Sequence, residues 1–266
     1  MRNEFERELE LAKKAARAAG QILRRHYRCG GYHIGSKGHD NPVTSVDLEA
    51  DRTLKKILSE PFPDYGWLSE ETVDHPARLG RHRTWIVDPL DGTKEFITGI
   101  PEFAVAIALI ENGEPVVGVT YNPIRRELFW GARGAGCHLN TRSVRVTRTR
   151  TLAKSTVLAS RSETKRGEWE KYRGMFKVRP TGSVAYKLAL VAAGRADATF
   201  TCSPKSEWDV ASGAALVMIA GGAVTDLAGR PVRFNQRNVK LKGLVSDNRL
   251  LHAALIKAAT GKRSRS

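Results

Sequence analysis

Carboxylates at the ends of apolar runs are the first feature of this 266-residue chain that could do chemistry. Asp88 and Asp91 stand in Trp85-Ile86-Val87-Asp88-Pro89-Leu90-Asp91-Gly92-Thr93, and Glu70 in Leu68-Ser69-Glu70-Glu71. Asp209 follows Trp208, and Asp47 closes Val43-Thr44-Ser45-Val46-Asp47. Pro89 cannot continue a central strand, so the chain is expected to turn there. Across a turn, the spacing of Asp88 and Asp91 can aim both carboxylates at one point. Two carboxylates so close repel each other unless a cation lies between them. Hard oxygen ligands select Mg²⁺, Mn²⁺ or Ca²⁺. Gly92 lets a ligand approach the backbone, and a helix opening at Thr93 offers amides to phosphate oxygens. Metal ligands beside a phosphate cradle are the apparatus of metal-assisted phosphoryl transfer.

Each piece alone has an ordinary reading. Asp-Pro-x-Asp-Gly-Thr is also what a capped turn uses. Asp209 is also a common first-turn helix acid. Asp47 alone is surface charge, and Glu70 alone could pair with any nearby Lys or Arg. Their joint occurrence, each at an element end or on a helix face, favours a common site.

The elements that must position them follow from periodicity. Phe5, Leu9, Ala12, Ala16, Ala19, Leu23 and Tyr27 form one apolar stripe, predicting a helix over Glu4–Tyr27. A loop or hairpin over Gly30–Asn41 precedes a second helix, capped by Thr44 or Ser45 and ended by Pro61 and Pro63. Strands are expected at 66–69, 83–87, 103–110, 115–121 and 127–131, making an antiparallel sheet. A short helix or turn at 92–97 interrupts them, and Asn112-Gly113 is a hairpin turn. Beyond residue 150, strands at 156–159, 177–179, 198–201, 223–226 and 243–246 alternate with helices. The helices are expected at 165–175, 183–193, 208–220 and 247–259, packed against a second sheet. Two lobes result. Residues 1–150 carry the metal and phosphate motifs; residues 151–266 supply Asp209 and substrate contacts, with a basic tail at 261–266.

Lys and Arg number 44 against 28 Asp and Glu, a net charge of +16. Such a field attracts anions, whether nucleic acid, membrane surface or phosphorylated metabolite. The Arg142, Arg145, Arg148, Arg150 and Lys154 cluster and the tail Lys262, Arg263 and Arg265 read as solvated charge. No aromatic residues interleave with the first cluster, as a single-strand binding platform would require. A basic nucleic-acid-binding protein is therefore the competing class, against which stands the lack of a recognition motif. No apolar run is long enough to span a bilayer, and the charged N-terminus carries no secretory signal, so a cytoplasmic location is expected. Cys29, Cys137 and Cys202 form no Cys-x-x-Cys pair and read as reduced, mostly buried thiols. Residues 30–37 miss the P-loop order, the Gly131–Gly136 run reads as a hairpin turn, and no His-Glu-x-x-His or Gly-x-Ser-x-Gly motif occurs.

The acidic motifs together with Gly182-Ser183, Gly194-Arg195-Ala196-Asp197 and Ala220-Gly221-Gly222 give the chain a strong resemblance to the inositol monophosphatase superfamily of lithium-sensitive phosphatases. The resemblance spans nearly the whole chain, from the first helix to Asn248. It implies a five-layer α-β-α-β-α sandwich, mixed α/β, and a homodimer. It also implies two Mg²⁺ ions. Glu70, Asp88 and the Leu90 carbonyl would hold one, and Asp88, Asp91 and Asp209 the other, with Glu70 positioning a third through water. Thr93, hydrogen-bonded to Asp47, would orient the attacking water, and the Gly92 and Thr93 amides would hold phosphate oxygens. Gly182, Ser183 and Lys205 would contact substrate alongside Asp91 and Asp209. Catalysis would be in-line attack on phosphorus with no covalent intermediate, one ion acidifying the water and the other stabilising the leaving oxygen.

Within the superfamily, Lys94-Glu95-Phe96-Ile97 after Asp91-Gly92-Thr93 resembles the 3'(2'),5'-bisphosphate nucleotidase branch (CysQ type). The acidic residue that contacts an inositol hydroxyl in inositol phosphatases falls here, by counting back from Asp209, at Cys202. Lys205 could meet a second phosphate, though an exposed loop Lys is the simpler reading. The expected substrate is adenosine 3',5'-bisphosphate, giving AMP and phosphate, with its sulfated precursor as a second. Inositol-1-phosphate, fructose-1,6-bisphosphate and histidinol-phosphate are the alternatives.

Overall fold

The structure is a computed structural model describing residues 3–38 and 42–261. The basic side chains at 262, 263 and 265 and the tip of the first loop lie outside the described residues. Helix α1 (Glu6–His26) buries its stripe of Leu9, Ala12, Ala16, Ala19 and Leu23. A hairpin of β1 (Ile34–Ser36) and β2 (Pro42–Thr44) leads to α2 (Ser45–Ser59). Thr44 caps α2 through a capping box with Asp47.

A seven-stranded sheet follows with its strands in sequence order. It comprises β3 (Gly66–Ser69), β4 (Arg83–Asp91), β5 (Ala104–Glu111), β6 (Glu114–Asn122), β7 (Glu127–Ala132), β8 (Gly136–Leu139) and β9 (Arg142–Val144). The one-turn helix α3 (Thr93–Ile97) joins β4 to β5. Asn112 and Gly113 both take positive φ, the geometry of a two-residue hairpin turn between β5 and β6. At Gly20 a Cβ would lie 2.4 Å from the Tyr121 ring, so α1 can seat on β6 only with glycine there.

The second sheet has five strands in the order β11-β10-β12-β16-β14. In chain order the elements are β10 (Thr156–Ser160), α4 (Arg161–Lys165), β11 (Lys177–Thr181), α5 (Val184–Ala192) and β12 (Ala198–Thr201). The short β13 (Lys205–Ser206) precedes α6 (Glu207–Ile219) and β14 (Ala223–Thr225). Then come β15 (Lys240–Leu241), which pairs with β13, β16 (Leu244–Asp247) and α7 (His252–Thr260).

Three buried clusters define the layers. α1 and α2 pack on one face of the large sheet through Leu9, Leu54, Trp85 and Ile107. α5 and α6 fill the space between the two sheets through Leu188, Val210 and Leu216. α7 and an aromatic group of Trp169, Tyr172, Phe176 and Phe200 cover the far face of the small sheet. The result is the α-β-α-β-α order implied by the resemblance. Among the described residues no helix is long and apolar enough to cross a membrane.

Several local expectations change. β3 and β4 pair in parallel, not antiparallel. β4 does not stop before Pro89 but runs to Asp91, its pairing with β5 shifted between Asp88 and Asp91. An irregularity of that kind can hold a proline, which has no N–H to give the ladder. The helix expected at 165–175 is absent: α4 ends at Lys165, and Gly167 and Gly174 at positive φ flank a 3₁₀ turn at Glu170–Tyr172. The last helix starts at His252, because Asp247 ends β16 and the Asn248 side chain accepts from the amides of Leu250 and Leu251.

Candidate active site

Four elements converge on one cavity of about 260 Å³. Glu70 directly follows β3, β4 carries Asp88, Leu90 and Asp91, and α6 contributes Asp209 from its first turn. α5 and the residues before it supply Gly182, Ser183 and Lys187. All of these line the cavity, as do Gly92, Thr93 and Lys205. Asp47 lies behind Thr93 and reaches the site through it.

Glu70, Asp88 and Asp209 each offer a carboxylate oxygen, and the three atoms lie within 4.8 Å of one another. Asp88 is deeply buried. Its Oδ1 accepts from the Leu90 amide at 2.9 Å, while Oδ2 is buried with no partner. Burial pushes the Asp88 carboxyl well above the ordinary range, and the charges of Glu70, Asp91 and Asp209 push it further. Asp209 is pushed up to about 7 by burial and by Asp91 and Glu70, although its Oδ2 accepts from the Ser206 amide at 2.9 Å. Asp91 is also raised by burial. One of its oxygens is already held, at 2.6 Å by the Ser183 hydroxyl and at 2.6 Å by the Ala185 amide. An orphaned buried oxygen amid crowded carboxylates is the donor set that hard divalent cations satisfy. Glu70, Asp88 and Asp209 therefore fit the metal the resemblance implies, while Asp91 and Leu90 line the same cavity outside that three-carboxylate group.

The Thr93 hydroxyl lies 3.1 Å from Asp47 Oδ1 and 3.1 Å from the Leu90 carbonyl. Asp47 Oδ2 accepts from the Thr44 amide at 2.8 Å. Burial raises the Asp47 carboxyl, and these hydrogen bonds oppose the rise. Gly92 sits at φ +100° with Phe103 against it, so a side chain there would be both strained and crowded. Lys37, carried by the first hairpin, places its ammonium 2.9 Å from Glu70 and 2.5 Å from Glu71. Glu71 is pushed up to about 7 by burial.

Other residues were not singled out by sequence. Asp51 is buried, accepting from the Ser69 hydroxyl at 2.5 Å and the Thr72 hydroxyl at 2.7 Å on either side of Glu70 in sequence. Its signal was its place one helical turn after Asp47 on α2. Lys187 was signalled only as a single Lys in the otherwise apolar Val184–Ala192 segment. Glu102 accepts from the Gly182 amide at 2.8 Å and Arg161 at 2.6 Å, fixing the start of α5. Cys202 does not line the cavity; its sulfur faces the Ala259 carbonyl at 3.6 Å, and it is exposed, as is Cys29, so of the three cysteines expected to be mostly buried Cys137 alone is.

Comparison with known proteins finds relatives over nearly the whole chain. The model of the inositol monophosphatase family matches residues 5–263. A protein of Xylella fastidiosa named Nus factor SuhB is 38% identical over 252 residues, covering 90% of each chain. An Aquifex aeolicus protein named fructose-1,6-bisphosphatase/inositol-1-monophosphatase is 31% identical, covering 94% of each. The crystal structure of the extragenic suppressor protein suhB from Bartonella henselae superposes with a TM-score of 0.84. Its identity is 33%, covering 96% of this chain and 98% of that one.

Proposed function

The chain belongs to the inositol monophosphatase family, and on that premise we propose that it is a Mg²⁺-dependent phosphomonoesterase acting on a small anionic metabolite. The observation that carries this reading is the meeting of Glu70, Asp88 and Asp209 around the partnerless Oδ2 of Asp88. Glu70, Asp88 and the Leu90 carbonyl would hold one ion, and Asp88, Asp91 and Asp209 a second. Such ions, when bound, acidify water and offset charge on phosphoryl and leaving oxygens.

The protein's own groups do the rest. Thr93 passes its proton to Asp47 Oδ1 and is then free to accept one from the attacking water at Oγ1. Burial has already raised the Asp47 carboxyl, which suits it to receive a proton. The Gly92 and Thr93 amides would hold phosphate oxygens, aided by the close approach that Gly92 permits. Ser183 and the Ala185 amide fix the Asp91 carboxylate. The water attacks phosphorus, the ester P–O bond breaks, and the leaving oxygen takes a proton to give alcohol and inorganic phosphate.

For the substrate we favour adenosine 3',5'-bisphosphate. Lys205, which lines the cavity, is the support for a second phosphate. A second reading, inositol-1-phosphate, is supported by the names of relatives, one of which also spans a sugar bisphosphate. Phosphate release from both compounds, from fructose-1,6-bisphosphate and from histidinol-phosphate, with Mg²⁺ and with or without Li⁺, tests both readings. Preferential turnover of inositol-1-phosphate or histidinol-phosphate would overturn the choice of nucleotide. No turnover of any ester would overturn the phosphatase.

A further inference from the structure

We propose that the connector between the two sheets is a docking face for the phosphodiester backbone of double-stranded nucleic acid, at the end of the molecule opposite the catalytic cavity. The inference is independent of the phosphatase reading above.

The connector runs from Arg145 to Ser155, between β9 and β10. Its apolar side chains face inward, Val146 onto the cluster between the sheets and Leu152 onto the outer one. Its backbone is pinned to the fold. The Val146 amide donates to the Ala220 carbonyl at 3.3 Å, the Thr147 hydroxyl donates to Asp197 at 2.6 Å, and the Asn248 side chain donates to the Thr149 carbonyl at 2.8 Å. With those groups turned inward, Arg145, Arg148, Arg150 and Lys154 are all exposed. Lys177 and Arg249 are exposed beside them. The Lys177 amide donates to the Ser155 carbonyl at 2.9 Å, and Arg249 follows Asn248 and reaches the Gly222 carbonyl at 3.2 Å.

Little in the fold answers this charge. No Asp or Glu occurs between Glu127 and Glu163. Asp197, just before β12, and Asp247, at the end of β16, are buried; the first is held by Thr147 and the Thr156 amide, the second by His252. Among the described residues, no carboxylate oxygen comes within 4.0 Å of any of the six cations. The carbonyl ends of α5 and α6 do face the connector, Gly194 against the Arg145 carbonyl and Ala220 at the Val146 amide. Two helix ends carry about one negative charge between them, which leaves most of the six unmatched.

The face is remote from catalysis. α6 carries Asp209 in its first turn and ends at the connector, so its 13 residues put the two about 20 Å apart. Guanidinium groups match phosphate oxygens in geometry as well as charge. The connector has no aromatic side chain to stack an unpaired base. Pinned flat, it offers no helix or ribbon to enter a groove, so contact is with the backbone and without regard to sequence. It also exposes no large apolar side chain to insert into an anionic membrane.

The test measures binding of the full chain to labelled DNA and RNA duplexes of about 20 base pairs by fluorescence anisotropy across a KCl series; the two arms tell one nucleic acid from the other. For the preferred duplex, log affinity should fall with log salt at a slope of about −4 to −5. Combining Arg145→Ala, Arg148→Ala and Arg150→Ala should weaken binding about tenfold or more at low salt and reduce the slope by about 2 to 3. The same three positions changed to Lys should retain both. A control with Lys14→Ala, Arg17→Ala and Arg24→Ala removes equal charge from the exposed side of α1 and should change little. Equal weakening by the control would show attraction by net charge alone and overturn the face. A lysine variant as weak as the alanine variant, or no binding to either duplex at low salt, would overturn it too. Tighter binding to phosphatidylglycerol vesicles than to either duplex would make a membrane the partner and overturn the nucleic acid.

Discussion

Along one wall of the cavity Glu70, Asp88 and Asp209 crowd together from the ends of β3 and β4 and the first turn of α6. Along the other, Lys187 and Lys205 approach from α5 and β13. The acidic wall is held by main-chain amides: Leu90 to Asp88, Ser206 to Asp209 and Ala185 to Asp91. On the basic side, carbonyls hold Lys187 and Glu163 faces Lys205. Glu95 lines the cavity as well, and Asp91, Glu163 and Glu95 all act on Lys187. The ammonium groups are thus answered within the protein, whereas the acidic side keeps a buried carboxylate oxygen with no partner.

The sharpest way to break the acidic wall is Asp88→Asn. Hydrolysis should fall on the order of a thousandfold or more, measured as initial rate of phosphate release. The fold should survive, since an amide oxygen can still accept from the Leu90 amide. With one repelling charge gone, the metal-free variant should melt higher than metal-free wild type. Full activity in the variant would end the metal assignment.

Thr93→Ala removes the link between Asp47 and the attacking water. The expected loss is about a hundredfold in kcat with KM nearly unchanged. A change confined to KM would show that Thr93 binds substrate and moves no proton.

pH separates the walls through stability. Asp209 has a folded-state pKa of about 7 against an ordinary 3.8. The folded protein therefore binds more protons than the unfolded chain between about pH 4 and about pH 7, and this site's contribution to stability declines as pH rises through that window. Metal-free protein should lose melting temperature from this site across it. Added Mg²⁺ should stabilise more at pH 8 than at pH 5, because bound cations compete with protons. At a hundred times Kd the gain is about 2.7 kcal/mol, readable by calorimetry. Equal Mg²⁺ shifts at both pH values would contradict the buried-carboxylate account.

The smallest effect is expected at Asp51, which touches no reactant. Asp51→Asn should weaken metal binding roughly tenfold by loosening Ser69 and Thr72 around Glu70. Titration with Mn²⁺ followed by electron paramagnetic resonance would measure this without reference to turnover. Unchanged affinity would reduce Asp51 to a packing role.

Much of the acidic wall was legible because turn chemistry marks it. Thr44, Gly92 and the Asn112-Gly113 pair each leave a local signature, and the strands they bound are apolar runs. The five-layer order likewise followed from the motifs and their resemblance. The basic wall was far less legible. Lys205 could be read as a loop residue, and Lys187 sits in a helix whose pattern spoke only of burial. The parallel pairing of β3 with β4 requires the connection at 70–82 to cross back along the strands, and no local residue type announces it. The broken segment after α4 was misread because its charged residues suit a helix, while Trp169 and Tyr172 instead pack onto Phe200 of the neighbouring strand.

Lys37 gives the site one more property. Its ammonium rests against Glu70 and Glu71, at the mouth of the carboxylate cluster. Part of the negative charge is thereby countered by the polypeptide itself. The chain can therefore fold around its acidic centre without a cation already in place.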